Sequence, residues 1–293
     1  MVESSMKRIG IIANKQKAHA QAVLQRLADK AEEKQLQILT TADAASLLPG
    51  AEQVAPEALA QSADVVLALG GDGTMLNAVR LIDGADTPVL GVNLGSLGFM
   101  TSVTEDELEH AIDVLVAGDY SISERSLLAC AVHRDGSAMA HFLALNDIVV
   151  GWGRSSRALT LGLSIDEEEV AQYLCDGLIV ATPTGSTGHS LSSGGPIIHP
   201  LAPVFNINVI CPHTLSARPL VLPDQCAIAV QVSDIPDNKR PLLSADGQGE
   251  LELAIGDIVH IRRHTGYARF IHLPEYRYFG VLRQKLHWRG SAR

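Results

Sequence analysis

Residues 65–74, V-V-L-A-L-G-G-D-G-T, constrain the fold more than any other stretch of this chain. The first half is an unbroken apolar run, the pattern of a strand buried on both faces of a parallel sheet. The second half sets Gly70, Gly71 and Gly73 around one acid, Asp72. Glycines there permit φ > 0 and leave amides uncovered, so the turn is suited to bring N–H groups against phosphate oxygens. Met75, Leu76, Val79 and Ile82 follow at helical spacing, and a helix N-terminus after the turn adds its dipole to an anion site. A bare backbone with one carboxylate points to a hydroxyl that gives its proton to Asp72 and attacks phosphorus. The plainer alternative is a strand-to-helix turn in which Asp72 satisfies local amides.

The surrounding pattern places this turn in a βα-type domain. Residues 8–13 (R-I-G-I-I-A) read as a first strand, with Asn14, Lys15 and Lys17 in the polar loop after it, where open α/β sheets place ligands. Residues 19–34 form an amphipathic helix with Val23, Leu24, Leu27 and Ala31 on one face. Residues 36–39 read as a second strand. Residues 41–61, with Pro49 and Pro56, read as irregular. Residues 88–92 make a further buried strand, ending in a second glycine-containing loop, residues 93–101 (N-L-G-S-L-G-F-M-T), expected to face the first. Thr104 and Glu107 form a capping box before a helix that stops near Gly118. The expected architecture is an α/β N-terminal domain (Rossmann-like, with the G-G-D-G loop) over residues 1–121. A β-rich domain follows over 122–270, and a basic tail over 271–293 is expected to pack back on the first domain.

Helical periodicity fades after Ser121. Short apolar runs take over at 127–132, 142–145, 148–150, 159–165, 178–181, 205–211, 227–232, 251–255 and 258–263. The acidic run at 166–169 reads as a solvated hairpin turn.

Three spots in this half carry more polar chemistry than a plain β domain needs. Asn146-Asp147 can bind a ribose diol and a base edge. Residues 175–196 (C-D-G-L-I-V-A-T-P-T-G-S-T-G-H-S-L-S-S-G-G-P) mass hydroxyls among glycines in mid-domain. Residues 244–248 (S-A-D-G-Q) carry an Asp-Gly hairpin signal. His213 and Arg218, in the stretch P-H-T-L-S-A-R-P, either serve the site or pin loops.

Composition narrows the class. A formal charge of -10 disfavours non-specific binding to nucleic acid, and 4% aromatics leave few stacking platforms. Cys130, Cys175, Cys211 and Cys226 show no C-x-x-C spacing, which suits a reducing cytoplasm rather than a zinc knuckle or a redox pair. No H-x-H or H-E-x-x-H pattern suggests a metal cage built by the protein; Mg²⁺ arriving with ATP leaves little trace in sequence. No signal peptide or membrane-spanning segment is expected.

The motifs G-G-D-G-T, N-L-G-S-L-G-F-M-T, D-G, T-P-T-G-S-T-G-H-S-L-S, P-H-T-L-S-A-R-P and S-A-D-G-Q, in this order, resemble the bacterial NAD kinases over nearly the whole chain. The resemblance implies two domains with the substrate between them. It implies transfer of the ATP γ-phosphate to the 2′-hydroxyl of the adenosine ribose of NAD, with Mg²⁺. It also implies a homodimer or homotetramer in which a neighbouring subunit helps complete the site. By matching position Asp72 is the proton acceptor, with Gly73 against the substrate. Asn146 and Asp147 hold the adenosine side and Asp176 the nicotinamide end. Thr187, Gly188, His189, Ser190, Leu191 and Ser192 line the dinucleotide pocket, and Gln248 and Arg157 are further contacts. Two positions depart from the family: Asn-Asp at 146–147 where Asn-Glu is usual, and Gly188-His189 where Ala-Tyr is frequent. These bear on affinity and on NAD against NADH. A nicotinamide dehydrogenase is disfavoured, because Gly71 and Gly73 fit G-x-G-x-x-G but Leu76 holds the third position. A G-G-D-G lipid kinase and a non-catalytic nucleotide sensor remain the alternatives.

Overall fold

The computed structural model describes residues 6–17, 19–95, 98–152, 158–235 and 240–288. They divide into two units, one running to Glu124 and resuming at Ala268, the other spanning Arg125–Tyr267.

The first unit contains strands β1 (Arg8–Ala13), β2 (Gln37–Thr40), β3 (Glu52–Gln53), β4 (Val65–Gly70), β5 (Val89–Asn93) and β6 (Val103–Thr104). Its helices are α1 (Ala20–Glu33), α2 (Ala42–Ala45), α3 (Pro56–Ser62), α4 (Asp72–Ile82) and α5 (Leu108–Ala117). The sheet is parallel, in the order β3-β2-β1-β4-β5, with β6 against β5. Every residue of β4 and β5 is buried, as continuous apolar runs between two helical layers require. Ile9 and Ile11 of β1 pack into a core with Leu24 and Leu27 of α1 and Leu108 and Ile112 of α5. On the opposite side of β1, Gly10 lies against Leu59 and Ala63, which leaves room for α3 to approach closely.

The region 41–61, expected to be irregular, instead holds α2, β3 and α3. Pro56 misled the sequence reading: it sits at the start of α3, where a missing N–H costs nothing. The capping box forms as expected, with the Glu107 carboxylate accepting from the Thr104 N–H at 2.9 Å. Gly118 ends α5 in the left-handed region (φ +73).

The second unit carries β7 (Ser121–Arg134), β8 (Ser137–Ala144), β9 (Asp147–Gly151), β10 (Leu159–Ile165), β11 (Glu168–Cys175) and β12 (Gly177–Ala181). After these come β13 (Val204–Ile210), β14 (Leu220–Pro223), β15 (Ile228–Asp234), β16 (Leu242–Ala245), β17 (Gly249–Glu252) and β18 (Ile258–His272). A short helix, α6 (His189–Ser192), lies between β12 and β13. One antiparallel sheet runs β14-β13-β12-β9-β16-β17; the facing one contains β11-β10-β15-β18 and the β7–β8 hairpin. Alternate residues meet in a shared core, among them Leu128 and Val132, Leu161 and Leu163, Ile148 and Val150, Leu178 and Val180, and Phe205.

Strands β11, β14 and β16 were not anticipated. β11 opens on the exposed Glu168 and Glu169 and carries an exposed Gln172, and β14 and β16 are four residues long. Of the hairpin turn expected over 166–169, Asp166 and Glu167 form it, both at positive φ, while Glu168 and Glu169 already belong to β11. Residues from Ala268 on return to the first unit, where Phe270 pairs with Val89, and α7 (Tyr278–Lys285) buries Val281 and Leu282.

Candidate active site

In the first unit the G-G-D-G segment is tighter than a loop. β4 ends at Gly70, Gly71 is the N-cap, and Asp72 is already the first residue of α4. None of Gly70, Gly71 and Gly73 adopts positive φ, contrary to the conformational role the sequence suggested. Their role is space. A Cβ on Gly70 would overlap the Thr74 hydroxyl, while Gly71 and Gly73 face open space. Gly71, Gly73, Thr74 and Asn77 line a cavity of about 370 Å³ with Ile12, Ala13, Asn14 and Lys17 from the end of β1. A helix N-terminus carries roughly +0.5 elementary charge. Together with the Lys17 ammonium it gives this cavity, at the C-terminal ends of parallel strands, a positive potential suited to an anion.

Asp72 is half-buried beside this cavity. Its Oδ2 accepts the Phe99 N–H at 2.9 Å and its Oδ1 accepts the Met100 N–H at 3.0 Å. The two glycine loops therefore do face each other, joined by this carboxylate. Gly98 allows the approach, since a Cβ there would overlap the Asp72 carboxylate. The Lys285 ammonium lies 5.9 Å from the centre of the Phe99 ring, tying α7 to the same loop. Each carboxylate oxygen keeps a further lone pair for a ligand hydroxyl.

In the second unit, Asn146 and Asp147 open β9, where two other segments converge. The Thr182 N–H donates to the Asn146 carbonyl at 2.9 Å, and the Thr182 hydroxyl donates to the Leu145 carbonyl at 2.5 Å. Gly185 packs directly on the Asn146 backbone, and Gly188 lies against the Asn146 and Asp147 side chains. The Asn146 Oδ1 and the Thr184 hydroxyl are buried without a hydrogen-bond partner among the described residues, which leaves acceptor and hydroxyl capacity for a ligand.

The structure thus brings together Asn146, Asp147 and Gly188. Thr187 is half-buried, its hydroxyl donating to the Thr184 carbonyl at 3.2 Å. Ser190 is fully buried and its hydroxyl accepts from Asn206 Nδ2 at 2.6 Å, so it anchors α6 on β13. His189 and Ser192 are exposed, and Leu191 is half-buried. Asp176 sits at the opposite end of β12 from the partner of Asp147: Gly177 pairs with Gly151 and Ala181 with Asp147. Four strand steps, roughly 13 Å, separate the two ends. Gln248 is exposed just after the Asp246-Gly247 turn, its N–H donating to the Ala245 carbonyl. Arg157 lies outside the described residues. Arg218 pins its own loop through the Leu215 and Ala217 carbonyls.

Asp246, which in the sequence reads only as part of a hairpin turn, has a further role that no local pattern signals. The turn is real, with Asp246 and Gly247 both at positive φ. Its carboxylate also reaches the backbone of residues 145–147. Burial and the nearby Asp246 push the Asp147 carboxyl from 3.8 up to about 7. The folded protein therefore holds a proton that the unfolded chain releases between these values. Its contribution to stability is complete near pH 4 and is lost as pH rises toward 7. Asp147→Asn is expected to match the parent in melting temperature near pH 4 and to exceed it above pH 7, with a flatter profile between; thermal melts across that range check this. Burial likewise pushes the Cys130 and Cys175 thiols up to about 12, so neither is a nucleophile at neutral pH.

A family model described as the ATP-NAD kinase N-terminal domain matches residues 9–120, and one described as the ATP-NAD kinase C-terminal domain matches residues 145–273. The chain is 40% identical over 283 residues to a protein from Geobacter sulfurreducens named NAD kinase, covering 97% of this chain and 99% of that one. Among solved structures it resembles yeast NADH kinase complexed with NADH (TM-score 0.90, 24% identity, 98% of this chain and 89% of that one). It also resembles an NAD kinase from Archaeoglobus fulgidus in complex with ATP (TM-score 0.77, 25% identity, 97% and 100%). The two-domain architecture expected from the sequence, α/β then β-rich, is the fold these proteins share.

Proposed function

The chain belongs to the ATP-NAD kinase family and transfers the γ-phosphate of ATP to the 2′-hydroxyl of the adenosine ribose of NAD; on that premise we propose that Asp72 takes the hydroxyl proton. The observation that carries this assignment is the fixed carboxylate at the start of α4, beside an anion-binding cavity. Phosphoryl transfer needs alignment and charge neutralisation more than covalent help. Asp72 orients the ribose hydroxyl and accepts its proton as the oxygen–phosphorus bond forms. The first turn of α4, with Gly73, and the Lys17 side chain hold phosphate oxygens in place.

Asn146 and Asp147 contact the adenosine side and Asp176 the nicotinamide end. Thr187, Gly188, His189, Leu191 and Ser192 line the dinucleotide pocket; Ser190 supports it from beneath, and Gln248 and Arg157 contribute at its edge. Among the described residues no group of three or more His, Cys, Asp or Glu side chains is arranged to hold a metal ion. A divalent cation such as Mg²⁺, brought in on the ATP phosphates, would supply charge neutralisation there. We also assign a homodimeric or homotetrameric state. Supporting it, Leu220 and Val221 on the edge strand β14, and Leu215 nearby in sequence, are exposed apolar residues. Cytoplasmic location fits four unpaired cysteines. No described helix is long and apolar enough to cross a membrane.

The test is a coupled assay of purified protein with ATP and Mg²⁺ and either NAD or NADH. Product is expected from NAD, and is expected to vanish when the divalent cation is chelated. Equal rates with NADH would show that the Gly188-His189 pocket does not discriminate between the two.

A further inference from the structure

The sharp positioning of Asn146 and Asp147 is imposed from a distant part of the chain. The Asp246 carboxylate accepts three successive backbone N–H groups, from Leu145 at 2.8 Å, Asn146 at 2.7 Å and Asp147 at 3.1 Å. In return the Asp246 N–H donates to the Asp147 carbonyl at 3.0 Å. One carboxylate thus closes the turn before β9 from the hairpin joining β16 and β17, about 100 residues away. Asp147 itself is only 5% exposed, and the Asn146 Oδ1 is buried with no partner among the described residues. A backbone held by three charge-assisted hydrogen bonds keeps two costly side chains aimed at one place.

We propose that Asp246 is a positioning residue for substrate binding, which sets the Asn146–Asp147 turn and, as a second carboxylate against Asp147, makes NAD affinity depend on pH near neutrality. This rests on the reading of Asn146 and Asp147 as the adenosine side of the site. Two carboxylates sharing a buried corner cannot both ionise freely, so the pair retains a proton. Burial raises both groups, Asp246 against the pull of its three amides. Among the described residues, Asp246 is the charged group that acts on Asp147. The 182–188 segment brings Thr182, Gly185 and Gly188 to this corner, none of them ionisable. The protonated pair offers a ribose oxygen a hydroxyl donor that two ionised carboxylates would lack.

The experiment is steady-state kinetics of the full-length enzyme from pH 5.5 to 8.5. Asp246→Asn is expected to raise KM for NAD by about tenfold or more, a penalty in keeping with a lost charge-assisted network. kcat and KM for ATP should stay within a few-fold. The neutral inflection in KM for NAD should move to lower pH, which loosened packing alone would not produce. Asp246→Glu keeps the charge on a longer arm; it should raise KM for NAD less and keep the inflection. It also carries the test if the Asn variant does not fold. Wild-type KM and inflection in Asp246→Asn overturn the proposal, as does an equal rise of both KM values with a falling kcat in Asp246→Glu. Asn146→Ala and Asp147→Asn are run alongside. If they leave KM for NAD unchanged, the adenosine reading itself fails; if they raise it and the Asp246 variants do not, only the positioning role falls.

Discussion

Asp72→Asn is expected to lower kcat for NAD phosphorylation by about 10²–10⁴-fold, the range typical of a lost general base, while NAD binding stays within a few-fold. The amide is nearly the same shape but cannot take the proton of the ribose hydroxyl. A second consequence follows from the geometry. Asp72 accepts amide hydrogens through both oxygens, from Phe99 and from Met100. An Asn side chain keeps one acceptor and turns an NH₂ group against the other N–H. Leaving that donor unsatisfied costs roughly 1–3 kcal/mol, so the variant should also melt at a lower temperature. Kinetics and melting therefore have to be read together. A folded variant with low kcat and near-normal NAD affinity supports the base assignment. A folded variant with near-normal kcat would leave Asp72 as a clamp between the two glycine loops and nothing more.

Gly185→Ala should produce a large loss of stability, because no other described glycine in the second unit has backbone so close to where its Cβ would stand. The new Cβ would fall on the backbone O, C and Cα of Asn146, not on a side chain that could swing away. That backbone is already held from two directions, by the Asp246 carboxylate and by the Thr182 N–H. With both sides pinned, relief requires the 182–188 segment to lift from β9. Overpacking of this kind costs about 1–3 kcal/mol and sometimes more. The expected result is a clearly lowered melting temperature, together with a raised KM for NAD, because Gly188 and the Asn146–Asp147 corner separate. Gly71→Ala is the contrast. Its added methyl meets nothing within 4 Å and its φ of -153° is ordinary extended backbone, so its melting temperature should stay close to that of the parent.

Much of the fold was legible because its signals are short-range. β4 and β5 are buried on both faces and read as unbroken apolar runs; α1 buries Val23, Leu24 and Leu27 at helical spacing. Thr104 and Glu107 announce a helix start three residues apart, and Gly118 its end. The elements missed are the ones whose local pattern is weak. α2, β3 and β14 are too short for a period to develop, and the exposed Glu168, Glu169 and Gln172 of β11 also fit a loop. In the candidate site, Asp72 was visible from its glycines, and Asn146-Asp147 from the side-by-side amide and acid.

What the sequence determined by itself was the succession of strands, helices and turns, and the chemical kinds of side chain that occur at each. Spacing over a few residues decides those, through backbone sterics, burial of one face, and capping. Only the tertiary structure decided that Asp72 spends both oxygens on amides 27 and 28 residues away, and that Gly98 is the residue that lets it. Only it could give Asp246, read as a hairpin turn, its hold on residues 145–147. Such contacts depend on which elements end up as neighbours, and that is set by the packing of the whole chain, where no local pattern reaches.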